Sequence, residues 1–149
     1  MDDQHNAGQD GLVGISVDSG PLELTPVMVR EFSAVTRSDD GGEQVPHTIA
    51  APLTSGVQEK LIGDERLGID LARTMHTEQR IESSHPLEVG RTYTATATVE
   101  SIRKAAGGRL ITFAIDVRDA GGTTVQTLRT TLLSALATSG ADESAGGEA

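Results

Sequence analysis

Histidine is the residue type in this chain best suited to proton transfer, because its unperturbed side chain titrates near neutral pH. The chain has four histidines, His5, His47, His76 and His85. They are scattered, and no two of them stand at the spacing of zinc ligands, so we expect no metal site. Cysteine is absent, which excludes disulfides and thiolate chemistry within this sequence.

Three of the histidines have simple structural interpretations. His76 lies in a strand-like run two positions before Glu78, and we expect this pair to be structural and to form a hydrogen bond at an interface. His85 directly precedes Pro86 at a predicted turn, so we expect it to be exposed. His5 belongs to the polar N-terminal tail. We therefore assign none of these three histidines a catalytic role.

The distribution of charge excludes several classes of partner. The formal net charge is −10, but six acidic residues lie in two tails, residues 1–10 and 139–149, which contain no Lys or Arg. The body then has 16 acidic and 12 basic residues, which is typical of a solvated surface and not of a nucleic-acid binder. We expect both tails to be disordered. The polar N-terminus and the lack of a long apolar run argue against a membrane span, and we expect a soluble, cytoplasmic protein.

Four strand-like runs between Ile69 and Leu133 predict a meander of antiparallel strands. Gly-Gly turns at residues 107–108 and 121–122 separate the last three runs. In two of the runs apolar residues occupy alternate positions, which places them together on one face of a sheet. The predicted inner residues are Tyr93, Ala95, Ala97, Val99, Ile111, Phe113, Ile115 and Val117. A sheet with one apolar face needs an element to cover it.

The first predicted helix runs from Pro26 to Thr36. Thr25 is its expected N-cap, and Pro26 stands at the first helical position, where its missing N–H is harmless. After this helix, Pro46 and Pro52 argue against a central strand or a helix running through residues 45–54.

A second predicted helix, Gly56–Ile62, is the candidate cover of the sheet. Thr54 or Ser55 is its expected N-cap, and Gly63 ends it. A long strand with a bulge is predicted to follow, from Leu67 to residue 84. The helical residues expected to face the sheet are Val57, Leu61 and Ile62.

The order of several short motifs resembles a known family. The segments are VREFSAVT at residues 29–36, IAAPLT at 49–54, HTEQ at 76–79 and HPLEVG at 85–90, followed by the strands with Gly-Gly turns. Over about residues 11–134 this order resembles the N-terminal, MaoC-like dehydratase domain of the hot-dog fold superfamily. The resemblance implies an α+β hot-dog fold, an antiparallel β-sheet wrapped around one central α-helix. It also implies dimerisation edge to edge. The length of 149 residues is most simply that of one domain, which we place at residues 11–138.

In the (R)-specific hydratases of that family, an Asp and a His on a loop reading roughly Asp-x-Asn-Pro-x-His transfer the protons. The corresponding part of this chain departs from that pattern: Asp40 and His47 lie seven positions apart instead of five, and no Asn precedes Pro46. Two interpretations remain open. Asp39 and Asp40 are turn residues and His47 a partly buried polar residue on an irregular strand, or Asp40 and His47 form a rearranged catalytic dyad.

The resemblance implies a subunit of an (R)-specific 3-hydroxyacyl-thioester dehydratase or enoyl hydratase. Because the loop departs from the motif, we favour the role of a non-catalytic, acyl-binding partner to a second MaoC-like chain that supplies Asp and His. The expected ligand is an acyl-CoA or acyl-carrier-protein thioester, and no cofactor is expected. Arg103, Lys104 and Arg109 cluster around one hairpin and are candidates to hold the phosphates of the carrier, although a solvated hairpin tip explains them equally well.

Two other functions stay open at this point, as does the question of whether the chain is itself an enzyme. The first is a thioesterase of the same fold, for which Glu59 is the acidic residue of the central helix. The second is a non-enzymatic acyl-binding scaffold.

Overall fold

The computed structural model describes residues 11–36 and 45–135, apart from the side chain of His47. Both predicted tails and the loop containing Asp40 lie outside these ranges. None of the helices in the described ranges is long and apolar enough to cross a membrane. The helices and strands, in chain order, are β1 (Ser16–Asp18), β2 (Leu22–Glu23), α1 (Pro26–Thr36), α2 (Ala50–Leu53), α3 (Ser55–Ile62), β3 (Thr74–Ser83), β4 (Thr92–Ala105), β5 (Gly108–Arg118) and β6 (Thr124–Ala135).

The predicted meander is confirmed as the centre of an antiparallel sheet with the strand order β1-β4-β5-β6-β3. The short strand β2 also pairs with β4, beyond β1. The turn between β4 and β5 consists of two residues, Ala106 and Gly107, because Ala105 and Gly108 already pair with each other. Gly107 has a φ of 78°, in the left-handed region that glycine adopts without strain.

The predicted alternation along β4 and β5 is also confirmed. All eight residues assigned to the inner face are buried. The side chains between them, such as Thr94, Thr96 and Asp116, are on the outer face and are more exposed. The inner face therefore forms one wall of the core.

The helices supply the opposite wall, largely as predicted. Val57 and Leu61 of α3 are buried, and α3 packs against β4 and β1. Thr25 caps α1 as expected, since its Oγ1 accepts a hydrogen bond of 3.1 Å from the backbone N–H of Met28. Thr54 stands at the N-cap position of α3, as one of the two expected residues, but its hydroxyl donates to the carbonyl of Ala50 at 2.7 Å instead of capping α3.

Two boundaries differ from the prediction for physical reasons. A short helix, α2, does pass through Pro52, because the N–H groups of a first helical turn have no intrahelical acceptor and proline loses nothing there. The strand predicted from Leu67 begins only at Thr74. The chain before it forms two 3-10 turns, whose first N–H groups are capped by the carboxylates of Asp64 and Asp70. The predicted bulge in β3 is confirmed by a register shift between residues 76 and 78.

Candidate functional site

The inner face of the sheet changes character from one half to the other. In β4 and β5 the inner residues from 93 to 99 and from 111 to 117 are apolar or aromatic. On β6 polar residues alternate with apolar ones, and on β3 the inner positions are polar except for Ile81. Polar residues of β3 and β6 face each other in three cross-strand pairs. These pairs are Ser83 with Gln126, Gln79 with Thr130, and Thr74 with Ser134. Between them lie the pairs Ile81 with Leu128 and His76 with Leu132. We call the six residues of these polar pairs the polar strip: Thr74, Gln79, Ser83, Gln126, Thr130 and Ser134.

The members of the polar strip are not equally satisfied by hydrogen bonds. Gln126 donates from Nε2 to the Oγ of Ser83 at 3.2 Å, and Thr74 donates to the Oγ of Ser134 at 3.3 Å. The Oε1 of Gln126 and the Oγ1 of Thr130 are buried and have no hydrogen-bond partner in the described part of the chain. Buried polar atoms without a partner are uncommon in native proteins, so both atoms need an explanation.

The polar strip lies at the margin of the helical cover. The 3-10 turn His47–Ile49 lies against β3, and α2 lies against β6. On β6 the strip residues Gln126, Thr130 and Ser134 are buried, whereas Gln79 and Ser83 on β3 are exposed. The strip therefore extends from buried residues on β6 to exposed residues on the edge strand β3.

The predicted Asp40–His47 dyad stays a prediction. Asp40 and the side chain of His47 lie outside the described part of the chain. The backbone of His47 begins the 3-10 turn that lies against β3, so the alternative that placed it on an irregular strand is wrong in its local structure. Proline has no backbone N–H to donate to a neighbouring strand, so Pro46 and Pro52 explain why residues 45–54 do not pair with the sheet as a further strand.

His76 and His85 are the other two histidines among the described residues, and both are exposed. His76 contacts the backbone carbonyl of Glu78 through Nε2 at 3.0 Å, across the bulge of β3. His85 is exposed, as predicted, and its Nδ1 lies 3.2 Å from the Oγ of Ser84. Neither ring has a hydrogen bond or ion pair with a carboxylate among the described residues. The interface role predicted for His76 and Glu78 stays a prediction.

The structure does not bring the three predicted phosphate-binding cations to one face. Lys104 and Arg109 are cross-strand neighbours at the end of the inner face, and Arg103 is on the outer face because consecutive strand residues point to opposite sides. Arg109 is only 9% exposed and donates from Nη2 to the carbonyl of Leu67 at 2.6 Å, which fixes the turn after α3. A role for all three cations in holding one phosphate group stays a prediction that this arrangement does not favour.

Two ion pairs perturb pKa values, and both are away from the polar strip. Hydrogen bonds from Arg66 lower the pKa of Asp64 to about 2 in the turn after α3. On the outer face, a hydrogen bond to Glu100 raises the pKa of Arg129, whose Nε lies 3.1 Å from both carboxylate oxygens. The six strip residues are neutral, and the ionisable residue next to them on the inner face is His76.

Recesses at one end of the sheet were not found from the sequence. One of about 300 Å³ includes Ser83 and Gln126 of the polar strip. A neighbouring recess of about 300 Å³ lies between the loop after β3 and the turn after β5, and its lining includes His85 and Tyr93. The hydroxyl of Tyr93 accepts a hydrogen bond of 2.7 Å from the backbone N–H of Glu88, which anchors the loop. The signal for the strip was present in the sequence, as the polar positions 126, 130 and 134 of β6.

Residues 12–128 match the family described as FAS1-like, dehydratase domain region. The chain belongs to this family. A UPF0336 protein of Streptomyces avermitilis is 30% identical over 95 residues, which are 64% of this chain and 63% of that protein. The chain therefore covers less than two thirds of that relative's length.

Solved structures share the fold. A MaoC-like dehydratase has a TM-score of 0.73 at 23% identity, over 86% of this chain and 43% of the other. The HadBC complex of Mycobacterium tuberculosis, a 3R-hydroxyacyl-ACP dehydratase, has a TM-score of 0.68 at 17% identity, over 82% of this chain and 96% of the other. The fold is the predicted hot-dog fold, in which the sheet wraps around α3.

The thioesterase alternative depended on Glu59. In the structure Glu59 is exposed on α3, about half a helical turn from the buried residues Val57 and Leu61. Its carboxylate is thus on the side of the central helix that faces away from the core.

Proposed function

We propose that this chain is a subunit of an (R)-specific 3-hydroxyacyl-thioester dehydratase or enoyl hydratase, in which it binds the acyl group while a second MaoC-like chain supplies the catalytic Asp and His. The observation that carries the proposal is the family match over residues 12–128 on a hot-dog sheet whose inner face ends in exposed residues on the edge strand β3. The similar HadBC structure is itself a complex that acts on 3R-hydroxyacyl-ACP, which supports a two-chain arrangement.

The non-catalytic role is supported by the loop that should carry the chemistry. Dehydration needs an acid and a base that both reach one water or hydroxyl group, which requires a fixed spacing. Here Asp40 and His47 are seven positions apart instead of five, with a proline directly before the histidine. In the described part of the chain, His76 and His85 are bonded to a backbone carbonyl and a serine instead of to a carboxylate.

The free edge of the sheet is the proposed surface for the second hot-dog subunit. β3 is the terminal strand of the sheet, and its other edge has no paired strand among the described residues. Unpaired strand edges favour association with another chain. Leu71 and Met75, at the start of this edge, are 69% and 66% exposed. A partner that pairs with β3 would lie beside these two side chains and beside the exposed strip residues Gln79 and Ser83.

The ligand of the proposed complex is an acyl thioester of coenzyme A or of a carrier protein. Arg103 and Lys104 are exposed at the β4–β5 hairpin and remain candidates for contacts with the phosphate of the carrier. Such contacts would be weakened by salt, because exposed charges are screened. Arg109 would act indirectly, by holding the turn at Leu67.

Activity of the lone chain and of the complex tests the proposal. The full chain is assayed for hydration of an enoyl thioester, alone and after co-expression with a MaoC-like chain that has the intact Asp-x-Asn-Pro-x-His loop. We expect hydration only with the partner, and no release of free thiol in either case. Strong hydration by the lone chain that His47→Ala abolishes would refute the partner role. Thiol release without hydration would support the thioesterase instead.

A further inference from the structure

The edge strand β3 carries charges of alternating sign on the outer face of the sheet. Glu78, Arg80 and Glu82 face outer residues of β6, so all three point to the outer face, and all three are exposed. The side chains of Arg80 and Glu82 are 65% and 60% exposed, with Nη1 and Oε1 4.0 Å apart. The other side of β3 has no paired strand among the described residues. A strand that added to this edge would therefore lie beside this row of charges.

The inner face of the same edge has a second row with a different pattern. Gln79 and Ser83 are exposed, and Ile81 between them is half-buried. Regular pairing of β3 resumes after the bulge between residues 76 and 78, and the backbone N–H of Ser84 still donates to the carbonyl of Val125 at 2.9 Å. The regular segment therefore spans residues 78–84, and Ile81 is its middle residue.

The two rows restrict how a second copy of this chain can pair with the edge. Residues that face each other in an antiparallel pair point to the same side of the sheet. Two copies related by a twofold axis therefore pair only in registers in which one residue of β3 faces the same residue of the other copy. The three charged residues are excluded as this central residue, because each would face its own charge and like charges that face each other are destabilising. The three inner residues remain.

Of these, the register centred on Ile81 uses the whole regular segment. Centred on Gln79 or Ser83, pairing would include only residues 78–80 or 82–84 of that segment. Centred on Ile81, Arg80 faces Glu82 of the second copy, and Glu82 faces Arg80 of the second copy by symmetry. On the inner face Ile81 meets the same residue of the second copy, and Gln79 faces Ser83. Both rows of the edge are thus complementary to themselves in this register.

We propose that β3 of the lone chain pairs with β3 of a second copy in the register centred on Ile81, and that Arg80 and Glu82 determine this register. The inference rests on the proposed function in one respect, since the same edge is the surface proposed for the second MaoC-like chain. One strand edge accepts one strand, so the two pairings exclude each other. The dimer of this chain must therefore separate before the MaoC-like chain binds.

Disulfide cross-linking of the full chain tests the register. The sequence has no cysteine, so a single introduced cysteine reports on its own position. Ile81→Cys is expected to form a covalent dimer on mild oxidation, because facing residues have Cα atoms about 4.5–5.5 Å apart, which suits a disulfide. Gln79→Cys is the matched control, since its two copies would lie about 13 Å apart along the strands and should not cross-link. Non-reducing electrophoresis measures both yields.

Charge reversal tests the role of the two ionic side chains. Arg80→Glu makes both positions acidic and Glu82→Arg makes both basic, so each variant alone should dimerise at least about tenfold more weakly in sedimentation equilibrium. An equal mixture of the two variants should recover the dimer, because every acidic position then faces a basic one. This recovery also shows that both variants are folded. Glu78→Arg is the control on the same face, and its dimerisation should change by less than about threefold, because Glu78 faces the neutral Ser84.

Three results would overturn the inference: a wild-type chain that stays monomeric, cross-linking of Gln79→Cys in place of Ile81→Cys, or a mixture of the charge variants that does not recover the dimer. None of them affects the proposed function, which is tested by hydration in the presence of the MaoC-like chain. Excess MaoC-like chain should also lower the cross-linking yield of Ile81→Cys. An unchanged yield would show that the MaoC-like chain does not use this edge, and would refute the proposed surface while the self-pairing stands.

Discussion

Gly108 is the position at which one added methyl group is expected to disturb the sheet most directly. Gly108 pairs with Ala135 where β5 and β6 begin and end. A Cβ on Gly108 would lie 2.3 Å from the backbone oxygen of Ser134 and 3.0 Å from its carbonyl carbon. No side-chain rotation can relieve a contact with backbone atoms, so Gly108→Ala must push the two strands apart at this end.

The expected cost follows from this geometry. Overpacking that shifts the backbone costs about 1–3 kcal/mol, and each weakened strand hydrogen bond adds about 1 kcal/mol. We therefore expect Gly108→Ala to lower the free energy of unfolding by about 2 kcal/mol or more. With a urea dependence of about 2 kcal/mol per molar, the midpoint of unfolding falls by about 1 M.

Gly56→Ala is the matched control for this substitution. Gly56 is exposed in the first turn of α3, and a Cβ there would meet no atom within 4 Å. Alanine favours helix over glycine by up to about 1 kcal/mol, so the midpoint should rise or stay unchanged. Urea unfolding followed by circular dichroism measures both variants. An unchanged midpoint for Gly108→Ala, or equal shifts for the two variants, would show that the close approach to Ser134 does not restrict the residue at position 108.

Three further predictions follow from the packing, the ion pairs and the sheet edge. Leu61→Ala removes a side chain of α3 that is 0% exposed and should lower the free energy of unfolding in urea by about 2–5 kcal/mol. Glu59→Ala on the exposed side of α3 should change it by no more than about 0.5 kcal/mol. Equal effects would contradict the assignment of the side of α3 that packs on the sheet. Hydrogen bonds from Arg66 lower the pKa of Asp64 from 3.8 to about 2, so the ionised carboxylate stabilises the fold above about pH 4 and this contribution is lost as the pH falls toward 2. Asp64→Asn should therefore flatten the acid dependence of the unfolding midpoint over this range. An unchanged dependence would contradict the ion pair. Met75→Lys at the exposed edge of β3 should weaken association with a second hot-dog subunit in sedimentation experiments without lowering the melting temperature of the free chain, and unchanged association would exclude this edge as the contact.

The parts of the fold that followed from the sequence are those in which local signals and packing agree. The alternation in β4 and β5 gave the inner face correctly, because a period of two leaves only one apolar side to bury. Thr25 and Pro26 marked the start of α1, since the cap and the fixed φ of proline act within one turn. The start of β3 was wrong because Asp64 and Asp70 cap 3-10 turns, and such side-chain caps compete with strand pairing.

The candidate site could be predicted only in part. Its frame, a hot-dog sheet over α3, followed from the order of motifs. The polar strip did not follow from the sequence, because a polar residue within β6 does not show on which face of the sheet it lies until the neighbouring strands are known. Gln126 and Ser134 show the difficulty: both are buried, yet Ser134 is in a hydrogen bond and one amide end of Gln126 is not. Pairing across strands decides such cases, and a single sequence does not specify it.

Removal of the histidine from one chain at a time shows which chain supplies the catalytic histidine. The complex contains this chain and a MaoC-like chain that has the intact Asp-x-Asn-Pro-x-His loop, and the hydration rate of an enoyl thioester is measured. One variant has His47→Ala in this chain. The other has the loop histidine of the second chain replaced by alanine. We expect a rate within about twofold of the unmodified complex for His47→Ala and a loss of at least about 100-fold for the other replacement. A loss of similar size for His47→Ala would contradict this expectation and would make this chain the catalytic one.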